Sequence, residues 1–427
     1  MIQAKTTGLE QRYKALTHPL RLRAFLAFST PHGRVATTAE IASELGLTVD
    51  QLSYHVRALE RHGWLELVDE SRKAGTGVIE RFYRAVEVAT YKEATWAALS
   101  PAERNIVSEE IVALMVADIA AADEAGSLAS RIDTHLSRTP LVIDAHAWEE
   151  ITGRLLDLYE AGDRAAADSV NRAAAGKSPC DGLISARFMT LFFEAAGWNT
   201  RPREPRRPWD PAEVESAIAP PSLTPSLGTR LKALTHPIRV RVFYAFNDPP
   251  GRTASPADLA AELGVPLEHM SYHVRALRDA GWIELVARER KGGATEHRYQ
   301  GVHARLAPLY DYEAWAALSP RQRQTVAREV VALIIADVTA AAAAGTIDSR
   351  LDRHLHRAPL MLDERGLAEL EQRVTELAED TERIAAESAE RVAAGATAAG
   401  EPVAARLALL LFEAPPRKGV SLKKSFS

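Results

Sequence analysis

Seven residues, Ser53-Tyr54-His55-Val56-Arg57-Ala58-Leu59, return unchanged as Ser271-Tyr272-His273-Val274-Arg275-Ala276-Leu277, an offset of 218 (271 − 53). The flanks repeat as well. Ala15-Leu16-Thr17-His18-Pro19 returns as Ala233-Leu234-Thr235-His236-Pro237, and Gly63-Trp64 as Gly281-Trp282. Trp96-Ala97-Ala98-Leu99-Ser100-Pro101 returns as Trp315-Ala316-Ala317-Leu318-Ser319-Pro320, now offset by 219 (315 − 96). A period of this size is a duplicated domain and not a solenoid. Whatever fold the first half takes, the second takes too.

The bulk properties set the frame. A chain of 427 residues, 46% hydrophobic and 26% charged, has room for about two to four ordinary globular domains. The single cysteine, Cys180, excludes an intramolecular disulfide and a cysteine-cluster metal site. No apolar run reaches membrane-spanning length and no signal pattern opens the chain, so a cytoplasmic, nucleoid-associated protein without membrane contact is expected. A net charge of −5 argues against indiscriminate nucleic-acid binding but allows a local basic surface.

Residues 9–28 read as helix, with a start inside the run at His18-Pro19. Thr37-x-x-Glu40 and Thr48-x-x-Gln51 are capping boxes that open two short helices, closed by Gly46 and Gly63. Two short helices joined through a glycine turn form a helix-turn-helix. Trp64 to Val68 and residues 78–84 alternate as strands around a polar turn, which completes a winged helix. The exposed face of the second helix carries residue types that reach base edges and phosphates: Gln51, Ser53, Tyr54, His55, Arg57 and Arg61, with Thr48 at its start. Arg72 and Lys73 sit at the wing tip. In the second copy the set is His269, Ser271, Tyr272, His273, Arg275 and Arg278, with Arg288, Arg290 and Lys291 on a more basic wing. These changes make the two heads readers of related, non-identical half-sites.

Leu16-Thr17-His18-Pro19-x-Arg21, Glu44-Leu45-Gly46, Ser53-x-His55-x-x-x-Leu59 and Gly63-Trp64, with their second-copy counterparts, resemble the ArsR-type winged-helix transcriptional regulators. The resemblance covers residues 11–86 and 229–301. It implies a recognition helix over 49–61, a wing near 71–77, and repression that a signal relieves. Metal-sensing members place a cysteine pair in the helix before the recognition helix. Here that stretch is Ala39-Glu40-Ile41-Ala42-Ser43, so thiolate sensing is excluded.

The remainder of each copy reads as helical. Residues 87–99 and, behind the capping box Ser100-Pro101-x-Glu103, a long helix to about residue 125 are followed by an irregular 131–144 and by helices over 145–161, 165–174 and 185–196. Asp118 and Asp337 recur in otherwise apolar helices; Arg131, Asp133 and His135 answer to Arg350, Asp352 and His354. These polar residues are either a network that fixes the loop after the long helix or the lining of an effector pocket (Asp118, Arg131, His135, Asp337, Arg350, His354). No metal-ligand spacing, phosphate loop, Gly-x-Ser-x-Gly or His-Glu-x-x-His is present, so neither metal, cofactor nor catalysis is expected.

The sequence therefore predicts a mainly α fold with small β-wings. Winged helices occupy residues 9–86 and 229–303, helical extensions 87–197 and 304–414, a proline-rich linker 198–228 and a basic disordered tail 415–427. The expected function is sequence-specific binding of double-stranded DNA as a repressor, with an intramolecular pseudo-dimer or a homodimer of chains and a small-molecule effector in the extensions. A winged-helix scaffold for protein contacts is the alternative.

Overall fold

The computed structural model describes residues 11–29, 34–72, 79–86, 93–176, 182–196, 227–291, 294–302, 315–395 and 401–414. Cys180, Lys73, the tail and all but the last two residues of the expected linker lie outside them.

Each head is a winged helix. In the first, α1 (Pro19–Phe28), β1 (Val35–Thr37), α2 (Thr38–Glu44), α3 (Val49–Arg61), β2 (Leu65–Arg72) and β3 (Ile79–Ala85) follow in order, and the sheet runs β1-β3-β2. The two capping boxes form as spelled. Thr37 and Thr48 accept from the backbone N–H three residues on, and Glu40 and Gln51 reach back to the cap N–H groups. Gly46 and Gly63 take φ of 66° and 70°, a left-handed conformation that favours glycine. Trp64, fully buried, is boxed by Tyr13 and Phe25 with ring centroids 5.0 Å away in each case. A short helix α4 (Glu93–Ala97) leads to the long α5 (Pro101–Glu124), whose start at Ser100 is a third capping box.

The central region departs from an all-helical reading. Residues 135–143, read as irregular, form β4 (His135–Ile143), and residues 185–196, read as a helix, form β5 (Ile184–Glu194). Between them α6 (Ala145–Ala174) is one uninterrupted helix. The second copy repeats the order from α1 to β3 and from α5 to β5. Its head has α7 (Leu227–Ala233), α8 (Pro237–Asn247), β6 (Thr253–Ala254), α9 (Pro256–Leu263), α10 (Leu267–Asp279), β7 (Ile283–Lys291) and β8 (Ala294–Gly301). Its extension has α11 (Pro320–Ala344), β9 (His354–Leu362), α12 (Glu364–Ala393) and β10 (Val403–Glu413). The class as a whole, two tandem winged helices each with a largely helical extension, is the one the chain adopts.

The four extension strands form one antiparallel sheet in the order β4-β10-β5-β9. The strands of the two halves alternate, so every ladder in this sheet joins one half to the other. The helices cross over in the same way. On one face α6 lies on β9 and α12 on β4; on the other, α5 reaches β9 and α11 reaches β4. Successive residues serve the two faces in turn, as the pleat requires. Phe188, Phe192, Leu409 and Leu411 pack with Trp148, Ile151 and Leu370 towards α6 and α12. Met189, Leu191, Leu410 and Phe412 pack with Met115, Ile119, Ile334 and Val338 towards α5 and α11.

The start of each 30-residue helix is held by the other helix. Asp144, the N-cap of α6, accepts two bonds from Arg391 of α12 at 2.7 and 3.0 Å, and its own N–H donates to Ser388. Asp363, the N-cap of α12, accepts from Arg172 of α6 at 2.7 Å twice and from Ser169. The Arg391 guanidinium holds the Asp144 carboxyl down at about 2. The side chain of Ser169 and the backbone at Ala165 sit so close to Gly366 that an added Cβ would lie 2.2 Å from Ser169 Oγ and 3.1 Å from the Ala165 oxygen.

Candidate nucleic-acid interface

The recognition helix of the first head, α3, buries Leu52, Val56, Ala58 and Leu59. With 100° per residue, the opposite side carries Asp50, Tyr54, Arg57 and Arg61, all exposed. Ser53 stands at one margin and donates to the Val49 carbonyl; Arg57 Nε donates to the Ser53 carbonyl, which leaves the rest of its guanidinium outward. Gln51 is exposed, though its side-chain oxygen is used by the Thr48 N–H at 2.9 Å. The second helix, α10, repeats the pattern with Glu268, Tyr272, Arg275 and Asp279 outward. Tyr54 and Tyr272 are 66% and 60% exposed, far more than a tyrosine with a packing role. His269 is exposed beside Glu268.

A groove of about 510 Å³ runs between α3, the start of α2 and the wing strand β3, lined by Thr38, Val49, Ser53, Arg57, Ile79 and Arg81 among others. It is the concavity between recognition helix and wing. The sequence reading missed Val49 and its counterpart Leu267. Both stand at the first turn of their helices, 45% and 53% exposed, as apolar surface bordering the outward face. An unburied apolar residue just after a helix cap was the available signal.

Two expected readers turn inward. His273 is 6% exposed, and His55 is half-buried. Each stacks on the histidine that caps the first long helix of its head: His18 with His55 and His236 with His273, ring centroids 4.5 Å apart in both. His18 Nδ1 accepts from the Leu20 N–H and His236 Nδ1 from the Ile238 N–H, both at 3.2 Å. The cause is position: residues 55 and 273 lie on the flank of the recognition helix that packs on α1 or α8, where their rings meet the capping histidines. Arg278 is also diverted, into an ion pair with Asp279 at 2.6 Å. Arg72, Arg288 and Arg290 are exposed on the wing strands, and Lys291 is the last residue of β7. Lys73 is outside the described residues.

The histidine pairs give the heads a defined acid response. Burial, then the facing imidazole and a nearby arginine, lowers His55; the same causes, led by burial, bring His273 to about 4. Burial lowers His18 and His236 as well. A group with a depressed folded-state pKa favours the folded state fully above its unfolded value near 6.5 and loses that contribution as pH falls through the folded value. Buried His354, at about 4, adds in the same direction. Thermal midpoints followed by circular dichroism are expected to fall steadily from pH 6.5 to 4, and the His55→Gln, His273→Gln double variant to show a shallower fall.

The candidate effector residues do not converge on a pocket. Asp118 is buried on the head-facing side of the sheet, paired with Arg187 at 3.1 Å and Arg357 at 2.5 Å. Asp337 is paired with Arg138 at 2.5 Å and Arg406 at 3.3 Å, and the same two arginines hold Asp248 at the end of α8 at 2.5 and 2.9 Å. His135 and His354 lie at the starts of β4 and β9 on the opposite side of the sheet, where His135 meets the Ser137 hydroxyl at 3.1 Å. Arg131 chelates Asp133 and reaches Glu364; Arg350 chelates Asp352 and lies 4.3 Å over Trp148. The two aspartates are thus ion-pair centres, and the residues around them are partners of one another. The four sheet arginines were missed. Their signal was recurrence: Arg138-x-Pro140-Leu141 returns as Arg357-x-Pro359-Leu360, and Arg187 as Arg406, charges kept in two apolar strands.

Among the described residues no group of three or more histidines, cysteines or carboxylates is placed to hold a metal ion, and no helix is long and apolar enough to cross a membrane. No curated protein and no solved structure matches the chain. A family model described as a helix-turn-helix domain matches it twice, at residues 16–68 and 234–286, so the chain carries two helix-turn-helix domains in tandem.

Proposed function

We propose that the protein is a sequence-specific, double-stranded-DNA-binding transcriptional regulator of ArsR-like type, a repressor, acting as a covalent pseudo-dimer. The observation that carries this reading is the pair of outward helix faces, Tyr54, Arg57 and Arg61 in one head and Tyr272 and Arg275 in the other, each beside an exposed wing with cations. Residue types that read base edges sit on a rigid helix, and residue types that hold phosphates sit at its borders. Thr48, Gln51, Ser53, Ser271 and His269 serve the margins of these faces. Arg72, Arg288, Arg290 and the backbone-placed Lys291 serve the flanking phosphates.

The alternation of strands from the two halves in one sheet supports a pseudo-dimer. The interface that two separate regulator chains would build is here built within one chain. Two recognition helices on a near-symmetric frame suit half-sites one helical turn apart, about 34 Å. Signal response through the extensions would act on the packing of α5 and α11 against the sheet, where Asp118 and Asp337 are already ion-paired.

The test is binding of DNA fragments enriched from a random pool, with the Arg57→Ala, Arg275→Ala double variant beside the parent. Both side chains are exposed, so the fold should be unaffected. Each arginine that reads a base is expected to cost about 1–3 kcal/mol and to relax the preference at its position. A double variant with unchanged affinity and sequence preference would remove the recognition helices from the site. A parent with no salt-dependent binding would favour a protein-contact scaffold instead.

A further inference from the structure

The two heads share a fold but place their free positive charge differently. In the first head, Arg61 stands in the last turn of the recognition helix, exposed and without an ion pair among the described residues. At the same place the second head has Asp279, and the neighbouring Arg278 is drawn onto it at 2.6 Å. The wings are reversed. In the first wing, Glu70 lies across from Arg81 and Glu66 across from Arg84, and both pairs form, at 2.7 and 2.6 Å. Those arginines are occupied by carboxylates of their own hairpin. In the second wing, the position of Glu70 is taken by Arg288, which lies across from His297, and Gln300 stands across from Glu284. Asp69 of the first wing is replaced by Ala287. Arg288 is exposed and has no ion pair among the described residues.

From these differences we infer that the two heads hold the DNA backbone with different sets of cations, beyond the wing arginine that both carry, Arg72 in the first and Arg290 in the second. The first uses the C-terminal turn of its recognition helix, through Arg61 beside Arg57. The second adds a wing cation that the first lacks, Arg288, where the first has Glu70. Phosphates are the ligand in both cases, but not the same phosphates. A recognition helix in the major groove touches the strands that border that groove, whereas a wing reaches the backbone beyond the half-site. A bound site then has a direction: protection of the backbone beside the wing is stronger on the side of the second head. An otherwise near-symmetric chain could so be oriented on an imperfect inverted repeat.

This inference rests on the DNA-binding reading, and its test separates the two. Each substitution transplants the residue that the other head carries at the same place, so the fold is expected to tolerate it. The full chain and its Arg61→Asp, Arg288→Glu and Glu70→Arg variants are titrated with the enriched DNA at several salt concentrations and footprinted with hydroxyl radicals. Each phosphate contact contributes about 0.9 to the slope of log K against log salt. Arg61→Asp is expected to lower the slope by about one and to weaken protection within the first half-site. Arg288→Glu is expected to lower it by a similar amount and to weaken the wing-side protection beside the second half-site to the level beside the first. Glu70→Arg is expected to raise the slope and to strengthen the wing-side protection beside the first. Parent footprints with equal wing-side protection on both sides, or an Arg288→Glu variant with the parent's slope and footprint, would overturn the inference and leave the DNA-binding reading intact. A parent that binds no DNA would overturn both.

Discussion

A chain cut once within residues 197–226 is expected to stay together as one particle through native size-exclusion chromatography, and to separate only when denaturant unfolds the central sheet. Every ladder in that sheet joins the two halves: β10 pairs with β4 over nine residues and with β5 over nine, and β5 pairs with β9 over nine. The core on both faces is shared in the same way, with Phe188 and Phe192 of one half against Leu360, Leu407 and Leu409 of the other. Neither half can satisfy its own strands. A strand left alone has unpaired N–H and C=O groups along both edges, which buried backbone does not tolerate. The first half produced by itself, residues 1–197, is therefore expected to pair with a second copy of itself or to aggregate. A monomeric half that unfolds cooperatively would contradict this.

Asp337→Ala is expected to lower stability by about 3–5 kcal/mol, because it leaves buried guanidinium charge behind. Arg138 and Arg406 are 5% and 8% exposed at the side chain, and Asp337 and Asp248 are the carboxylates that face them. Removal of one carboxylate leaves two buried guanidiniums with one partner. The loss would also loosen the second head, since Asp248 at the end of α8 joins that head to the sheet through the same arginines. Urea unfolding of Asp337→Ala, Arg138→Met and the double variant forms the check. The double variant is expected to recover much of the loss, because removal of both charges avoids the buried unpaired one. Additive losses would mean that the pair is not coupled.

The heads were legible in the sequence because their signals are local. Thr37-x-x-Glu40 and Thr48-x-x-Gln51 start the two helices, and Gly46 and Gly63 stop them, within a span of a few residues each. The central sheet was not legible for two reasons. Residues 186–193 are buried on both faces, and such a strand reads as a continuous apolar run that periodicity cannot tell from a buried helix. The partners of β5 lie more than 150 residues away, at β9 and β10, so no local pattern announces the pairing. The same distance hid the role of Asp118 and Asp337. Each was visible as an acid in an apolar helix, while the arginines that answer them sit on strands the sequence had assigned to helix or loop. His55 and His273 show the limit of a face drawn from residue type alone: polar and on the recognition helix, they nonetheless point at the N-caps of α1 and α8.

The central claim is that one chain presents two reading heads on a shared frame. Its most direct test is to select bound fragments from a random DNA pool at near-physiological salt and then count chains per bound duplex by native mass spectrometry. The account predicts enrichment of an imperfect inverted repeat with half-site centres about 10 bp apart and a single chain on each duplex. A site with four half-sites occupied by two chains, or no enrichment at all, would contradict it.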